Sequence, residues 1–192
     1  MRKRLKMKFP LSNMQIVALG YGAVICLGTC LLLLPVAQKA PTTFTEAFFT
    51  AVSATCVTGL VLVDTAIHWS LFGQIVILLM IQIGGLGFMT LAVWLMQLLR
   101  RRVGLRYREV MVDSINSTRL GGILGLTKEI VTGTVFFEGV GAFLLSLRFI
   151  PEFGLAKGMY FGIFHSISAF CNGGVDLMGE KGAFSSLTWY SG

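Results

Sequence analysis

The chain has 192 residues, of which 55% are hydrophobic and only 13% are charged. A typical soluble domain carries about 25% charged residues, so this composition argues against a soluble protein and indicates an integral membrane protein. The formal net charge is +7, but no basic patch is interleaved with stacking aromatic residues, so nucleic acid is not an expected partner.

Lysine and arginine are clustered along the chain. Five lie within residues 1–8 and seven within residues 100–128, whereas residues 35–70 contain only Lys39. Cytoplasmic segments of membrane proteins are enriched in these residues. The pattern therefore predicts a basic cytoplasmic N-terminus (1–10), an external segment (35–70) and a cytoplasmic connection (101–130). The expected location is the cell membrane, crossed several times.

The first half of the chain reads as helix, short helix, glycine turn and helix. The apolar run Met14–Leu34 ends at a proline and is long enough to cross a bilayer, and it is too long for a signal peptide. A Thr-x-x-Glu capping box predicts the start of a short helix at Phe44–Ala54, followed by residues 55–59. A second span, Leu71–Leu99, exceeds a straight crossing, so we expect it to be tilted, kinked or extended into the cytosol.

The second half begins the same order again. A third span is predicted at Val131–Ile150, stopped by Pro151, and a short segment at Gly158–Ala169 leads into residues 170–175. Residues 183–192 read as the approach to a fourth span. The predicted units are thus a first repeat at 11–100 and a second repeat at 131–192 that is truncated after its pore loop.

The two short helices and their glycine turns also resemble each other in sequence. FFTAVSATCVTGL (48–60) aligns with IFHSISAFCNGGV (163–175), and the paired residues are identical at five positions. Such internal similarity in the same topological position indicates a repeated unit. The predicted fold class is an all-α integral membrane protein built from helix–pore-loop–helix (M1-P-M2) repeats, one complete and one partial.

Non-helical backbone at membrane depth is tolerated only where it is buried in protein or lines a wet cavity. Backbone carbonyls in such a loop can replace the hydration shell of a potassium ion, as they do in potassium filters. The C-terminal end of a short helix adds a partial negative charge at the same place. The glycine turns are therefore candidates for a cation filter. Plain helix C-capping by Gly59 and Gly174 is the competing interpretation.

These loops resemble those of the Trk/Ktr/HKT superfamily of potassium transporters, in particular the pore subunit of Ktr type. The resemblance rests on Ala54–Leu60 with Asp64 beyond it, on Ser168–Leu177, on the basic N-terminus and on Ile83–Phe88. It implies four repeats around one pore, each supplying one filter glycine. The filter residues it implies here are Thr55, Cys56, Val57, Thr58 and Gly59 in one loop, and Cys171, Asn172, Gly173 and Gly174 in the other.

Other polar residues within these segments have two interpretations each. Asp64 and Asp176 would attract cations at the outer mouth or hydrogen-bond their own loops. Glu138, inside the third span, is a functional residue by default or pairs with a helix that this chain does not contain. His165 is interpreted as a packed, hydrogen-bonded residue rather than a ligand. Glycines 84, 85 and 87 are interpreted as sites of close helix packing, with a phosphate loop or a hinge as the alternative.

The resemblance implies potassium translocation by a subunit of which this chain is about half. A non-conducting membrane scaffold or remnant and a homo-oligomeric cation channel are the alternatives. The implied partners are membrane lipid, a second copy of the complete subunit and a cytosolic nucleotide-binding regulatory ring. No catalytic set is recognised, so no enzyme is expected, nor any cofactor; potassium would be bound through filter carbonyls only.

Overall fold

The structure is a computed structural model, and it describes residues 12–87, 90, 91, 93, 94 and 123–181. Six α-helices have both ends within the described residues: α1 (Asn13–Leu32), α2 (Phe44–Thr55), α3 (Thr65–His68), α4 (Leu71–Leu86), α5 (Ile123–Phe153) and α6 (Leu155–Phe170). Two 3₁₀ turns, Pro35–Ala37 and Met178–Lys181, accompany them. The described residues form no sheet, only an isolated bridge between Gln38 and Trp69. The all-helical architecture is confirmed.

Local sequence signals place the first two helices well. α1 covers most of the predicted first span and ends two residues before the predicted Leu34. At the start of α2, the backbone N–H of Thr43 donates to Glu46 Oε2 at 2.7 Å, and the Glu46 N–H donates to Thr43 Oγ1 at 3.3 Å. The predicted capping box is therefore present, and it sets the helix start at Phe44.

The second predicted span, Leu71–Leu99, was expected to be tilted, kinked or extended into the cytosol, and its helix is interrupted at Gly87. α4 ends at Leu86, because Gly87 adopts a φ of +77° that an α-helix does not accommodate. Glycine has no Cβ and enters this left-handed region without steric cost. Residues 90, 91, 93 and 94 are helical again. The remaining positions of the predicted span lie outside the described residues.

The third span is longer than predicted at both ends. α5 begins at Ile123, so residues 123–130 are helical rather than part of the connection, and it continues through Pro151 to Phe153. A proline in the last turn removes one helical hydrogen bond without ending the helix before it. The end comes at Gly154, with a φ of +80°. Residues 101–122 and 183–192 lie outside the described residues, and so do the predictions made for them.

A single glycine separates α5 from α6, and the two helices pack closely. α6 begins at Leu155, three residues before the predicted Gly158, because Gly154 caps it. Glycines allow this close approach. A Cβ atom added at Gly158 would lie only 2.7 Å from Ile150 Cα, and one added at Gly162 only 2.8 Å from the Ala142 carbonyl oxygen, so a larger residue would not fit at either position. α4 is the third element of this packing, since it contacts α6 as well as α1 and α2.

α1 and α5 are long and apolar enough to cross a membrane. Only 17% of the residues in each apolar window are buried inside the protein, which is unlike the core helix of a soluble protein. α5 directs large apolar side chains outward, among them Phe136, Phe137, Phe143, Leu144 and Leu147. A helix that is apolar on its exposed face is stable when lipid is the surrounding solvent.

Gln74 of α4 links three elements through its buried side chain. Its Nε2 donates to the carbonyl oxygens of Thr65 at 3.2 Å and Trp69 at 3.1 Å, and its Oε1 accepts a hydrogen bond from the Tyr160 hydroxyl at 3.0 Å. The side chain thus joins α3 and α6 to α4. A buried network of this kind stabilises a fold when every member is satisfied.

We predict that Gln74→Leu lowers the thermal unfolding midpoint of the purified protein in detergent micelles. The substitution keeps the volume but leaves buried polar groups without partners, at about 1–3 kcal/mol for each group. Gln38→Leu is the matched control, because Gln38 is half-buried and donates one bond, to the Leu32 carbonyl oxygen. Equal shifts in the two variants would contradict the role of Gln74.

Candidate functional site

The first loop, residues 55–59, leaves α2 by a sharp change of backbone direction. Val57 and Gly59 have positive φ values, +56° and +72°. The N–H of Thr58 donates to the Ser53 carbonyl oxygen at 3.0 Å, which folds the loop back against the end of the helix. Positive φ is uncommon for a residue with a branched side chain, so the conformation of Val57 is held by its surroundings.

The second loop, residues 170–175, has the same backbone geometry at the end of α6. Asn172 and Gly174 have positive φ values, +59° and +63°, and the N–H of Gly173 donates to the Ser168 carbonyl oxygen at 2.6 Å. Each feature falls on the position that the sequence alignment pairs with the first loop. The similarity of the two segments therefore extends from sequence to individual dihedral angles and hydrogen bonds.

Gly59 and Gly174 are not helix C-caps, so the competing interpretation of these glycines is wrong. Cys56 and Cys171 are the C-cap residues, and each glycine lies three positions beyond its cap. The two glycines meet instead. A Cβ at Gly59 would lie 2.9 Å from the Gly173 carbonyl oxygen, and one at Gly174 would lie 3.5 Å from Gly59 Cα. The loops thus contact each other backbone to backbone.

At the end of the second loop, the Val175 carbonyl oxygen accepts a hydrogen bond from the Ser168 hydroxyl at 2.6 Å. The carbonyl groups at the centre of the two loops accept none within the described part of the chain. No described donor bonds the backbone oxygens of residues 56–59 or 171–174. Among the described residues, the buried Thr55 hydroxyl also has no hydrogen-bond partner. Unpaired backbone oxygens leave their lone pairs open to an external partner such as water or an ion.

Two consecutive glycines of α4 press against the two loops. A Cβ at Gly84 would collide with the Thr55 carbonyl oxygen, and one at Gly85 would lie 2.5 Å from Cys171 Sγ. The interpretation of these glycines as sites of close helix packing is confirmed, with the partners being loops as well as helices. Gly87 differs, because a Cβ there would meet nothing nearer than 3.8 Å and its role is to end the helix.

Asp64 and Asp176 both hydrogen-bond their own loops. Asp64 Oδ1 accepts from the N–H groups of Ala66 at 2.9 Å and Ile67 at 3.2 Å, which caps α3, and Asp176 Oδ1 accepts from Met178 N–H at 3.0 Å. Burial raises the pKa of the Asp176 carboxyl, and the nearby charge of Asp64 acts in the same direction. The two side chains, which are not equivalent in the alignment, lie near each other beyond the loops.

His165 braces the segment that follows the second loop. Its Nδ1 bonds the Phe161 carbonyl oxygen at 2.7 Å, and its Nε2 accepts from Leu177 N–H at 3.1 Å. A carbonyl only accepts and a backbone N–H only donates, so the ring is neutral with its proton on Nδ1. The prediction of a packed, hydrogen-bonded histidine is confirmed.

Glu138 lies directly behind the second loop. Its side chain is 8% exposed, and Cys171 Sγ donates to its Oε1 at 3.8 Å. Gln82 of α4 was not recognised from the sequence, although its Oε1 lies 3.9 Å from the same sulfur atom. The available signal was the presence of a glutamine inside an apolar helix, where a polar side chain needs a partner.

The chain belongs to the TrkH family of cation transport proteins, whose sequence model matches residues 7–185. Family membership and the two long apolar helices identify an integral membrane protein. The resemblance inferred from the sequence is thereby confirmed.

Three relatives illustrate the similarity. The chain is 42% identical over 163 residues to the Ktr system potassium uptake protein B of Bacillus subtilis, covering 85% of this chain and 37% of the relative. It is 41% identical over 183 residues to the potassium/sodium uptake protein NtpJ of Enterococcus hirae, covering 94% and 40%. It is 39% identical over 167 residues to the Ktr system potassium uptake protein B of Vibrio alginolyticus, covering 87% and 37%. The chain thus spans 37% to 40% of the length of these relatives.

Proposed function

We propose that the chain forms part of a pore that translocates potassium across the cell membrane. The observation that carries this proposal is the pair of loops with matching dihedral angles, in which the carbonyl oxygens of residues 56–59 and 171–174 have no hydrogen-bond partner among the described residues. Lipid offers no donors to such oxygens. A dehydrated cation satisfies several of them at once, and it needs no side-chain ligand.

In this proposal the filter oxygens come from residues 55–59 and 171–174. α2 and α6 each end at one of the loops, so that the partial negative charges of their C-termini add to the carbonyl dipoles. The contact between Gly59 and Gly174 brings the two loops together. The helix–pore-loop–helix repeat is the architecture that this arrangement supports.

We further propose that the chain supplies two of four filter loops, as about half of a pore subunit. Its relatives are more than twice the length that it covers. Parts of both loops are also exposed, including Cys56, Thr58, Asn172 and Gly174. Further loops on that side would complete a ring of oxygens around the ion, with potassium as the transported ligand.

We extend this proposal to the assembly of the subunit with other chains. The names of the Ktr relatives describe a system, which agrees with a membrane-embedded subunit that has partners. We propose a homodimer of the complete subunit with a cytosolic nucleotide-binding ring against the basic segment 100–108. Residues 1–10 and 101–122 would then face the cytoplasm, and the segment from Pro35 to Ser70 would face outward.

We predict that Gly59→Ser and Gly174→Ser impair potassium uptake or allow sodium to compete, with normal membrane insertion. Both glycines have positive φ and face the other loop, so a side chain strains the backbone and moves the oxygens. The measurement is uptake by the full-length gene product in cells that lack their own potassium uptake systems. Gly133→Ser is the control, since a Cβ there meets nothing within 4 Å. Unchanged transport in both loop variants would refute the filter assignment.

We predict that the 192-residue chain alone does not conduct potassium. The free-energy cost of dehydrating the ion is offset only when oxygens surround it on all sides. Two loops provide half of such a ring. The chain and the full-length gene product are expressed side by side in the deficient cells, and growth is compared at limiting potassium. Rescue by the chain would favour the homo-oligomeric channel, in which two chains supply four loops. A full-length product that inserts but never rescues growth would favour the non-conducting scaffold.

We predict that a cysteine at position 67 is labelled from outside the cell by an impermeant thiol reagent, and a cysteine at position 104 is not. Ile67 is 48% exposed on the proposed outer side, and Gly104 belongs to the basic segment that the charge bias places in the cytoplasm. Labelling is compared with that of the unsubstituted protein, whose own exposed cysteines set the background. The reverse pattern would overturn the orientation.

A further inference from the structure

Glu138 occupies an unusual position for an acidic residue. It lies near the middle of α5, one of the two helices long enough to cross the membrane, and its side chain is more than nine-tenths buried. In the part of the chain that the structure describes, the ion pair is Arg148 with Glu152, and no lysine or arginine pairs with Glu138. A buried carboxylate without a cationic partner is strongly unfavourable, so its presence calls for an explanation.

Packing between α5 and α6 fixes where this carboxyl group points. The hydroxyl of Ser166 donates to the Glu138 carbonyl oxygen at 2.7 Å, and Gly141, one turn later on α5, lies against the Ser166 side chain. These contacts align the middle of α5 with the last turns of α6. The Glu138 side chain therefore reaches the end of α6, where the second loop begins.

The carboxyl group meets the second loop at its first turn residue. Cys171 Sγ lies 3.8 Å from Glu138 Oε1 and 3.9 Å from Gln82 Oε1, and Cys171 is the C-cap of α6. Gly85 of α4 packs directly against the same cysteine. In the first loop the aligned cysteine, Cys56, is exposed, whereas Cys171 is buried. The carboxyl contact is thus a feature of the second loop.

We propose that Glu138 is a positioning residue that acts through the second loop. Its negative charge strengthens potassium binding at the carbonyl groups of residues 171–173. This inference rests on the proposed filter function. A cation held by the loop is a positive partner for this carboxylate, which pairs with no lysine or arginine among the described residues, so ion and carboxylate stabilise each other. Gln82 and Cys171 hold the carboxylate at the loop, and the charge acts across protein rather than water, where Coulomb interactions are stronger.

The test compares two substitutions that separate charge from shape. Glu138→Gln keeps the size and the acceptor oxygen but removes the charge, whereas Glu138→Asp keeps the charge and shortens the side chain. Potassium uptake by the full-length gene product is measured against potassium concentration in cells without other uptake systems, and is normalised to the amount of protein in the membrane. Glu129→Gln, an exposed residue on the same helix, is the control.

We expect Glu138→Gln to raise the half-saturating potassium concentration about tenfold, with the maximal rate within about twofold of the parent. Glu138→Asp is expected to stay within about threefold of the parent in both quantities, and Glu129→Gln to match it. A residue that only fills space would give the opposite order, with glutamine milder than aspartate. That order, or a parental half-saturation in Glu138→Gln, overturns the role of Glu138 while the filter proposal stands. A parent protein that carries no potassium overturns both.

Discussion

The two loops end their helices with carbonyl oxygens that no described donor reaches, and much of the surrounding structure is arranged around them. In the proposed pore, lipid offers such oxygens no donor to pair with. Short helices that stop within the protein, glycines that allow the backbones to touch, and a histidine that fastens the chain beyond the second loop all follow from this constraint. Each of them fixes the loops in place without supplying a hydrogen bond to their oxygens.

α4 contacts both loops and is tied to the elements around them. Near its N-terminus, Gln74 ties it to α3 and α6 through buried hydrogen bonds. Near its C-terminus, two glycines bring its backbone against the loops, and the side chain of Ile81 lies against Gly173. The helix thus combines polar anchoring at one end with close packing at the other. At Gly84 and Gly85 no side chain would fit, because the loops occupy the space that one would need.

Local signals in the sequence were sufficient to predict the elements whose geometry is set by residues close to one another along the chain. The capping box set the start of α2, and the repeat located both loops, because their geometry follows from the same residue types at the same spacing. The end of α4 at Gly87 was not predictable, since a glycine in an apolar run is compatible with packing and with a break. The early start of α5 was missed because its first turns contain glycine, lysine and glutamate, which also suit a loop. The contact of Glu138 with Cys171 depends on the pairing of α5 with α6, and no local pattern encodes it.

Gly84 and Gly85 have a mechanical consequence. Consecutive residues of an α-helix point in directions about 100° apart, so the two loops contact adjacent faces of α4, roughly a quarter turn from each other. Each of the two glycines therefore serves a different loop: a side chain at Gly84 would meet the Thr55 carbonyl group, and one at Gly85 would meet Cys171. The loops also touch each other at Gly59 and Gly174. The helix and the two loops thus form one three-way contact, in which a displacement of any one element is opposed by the other two.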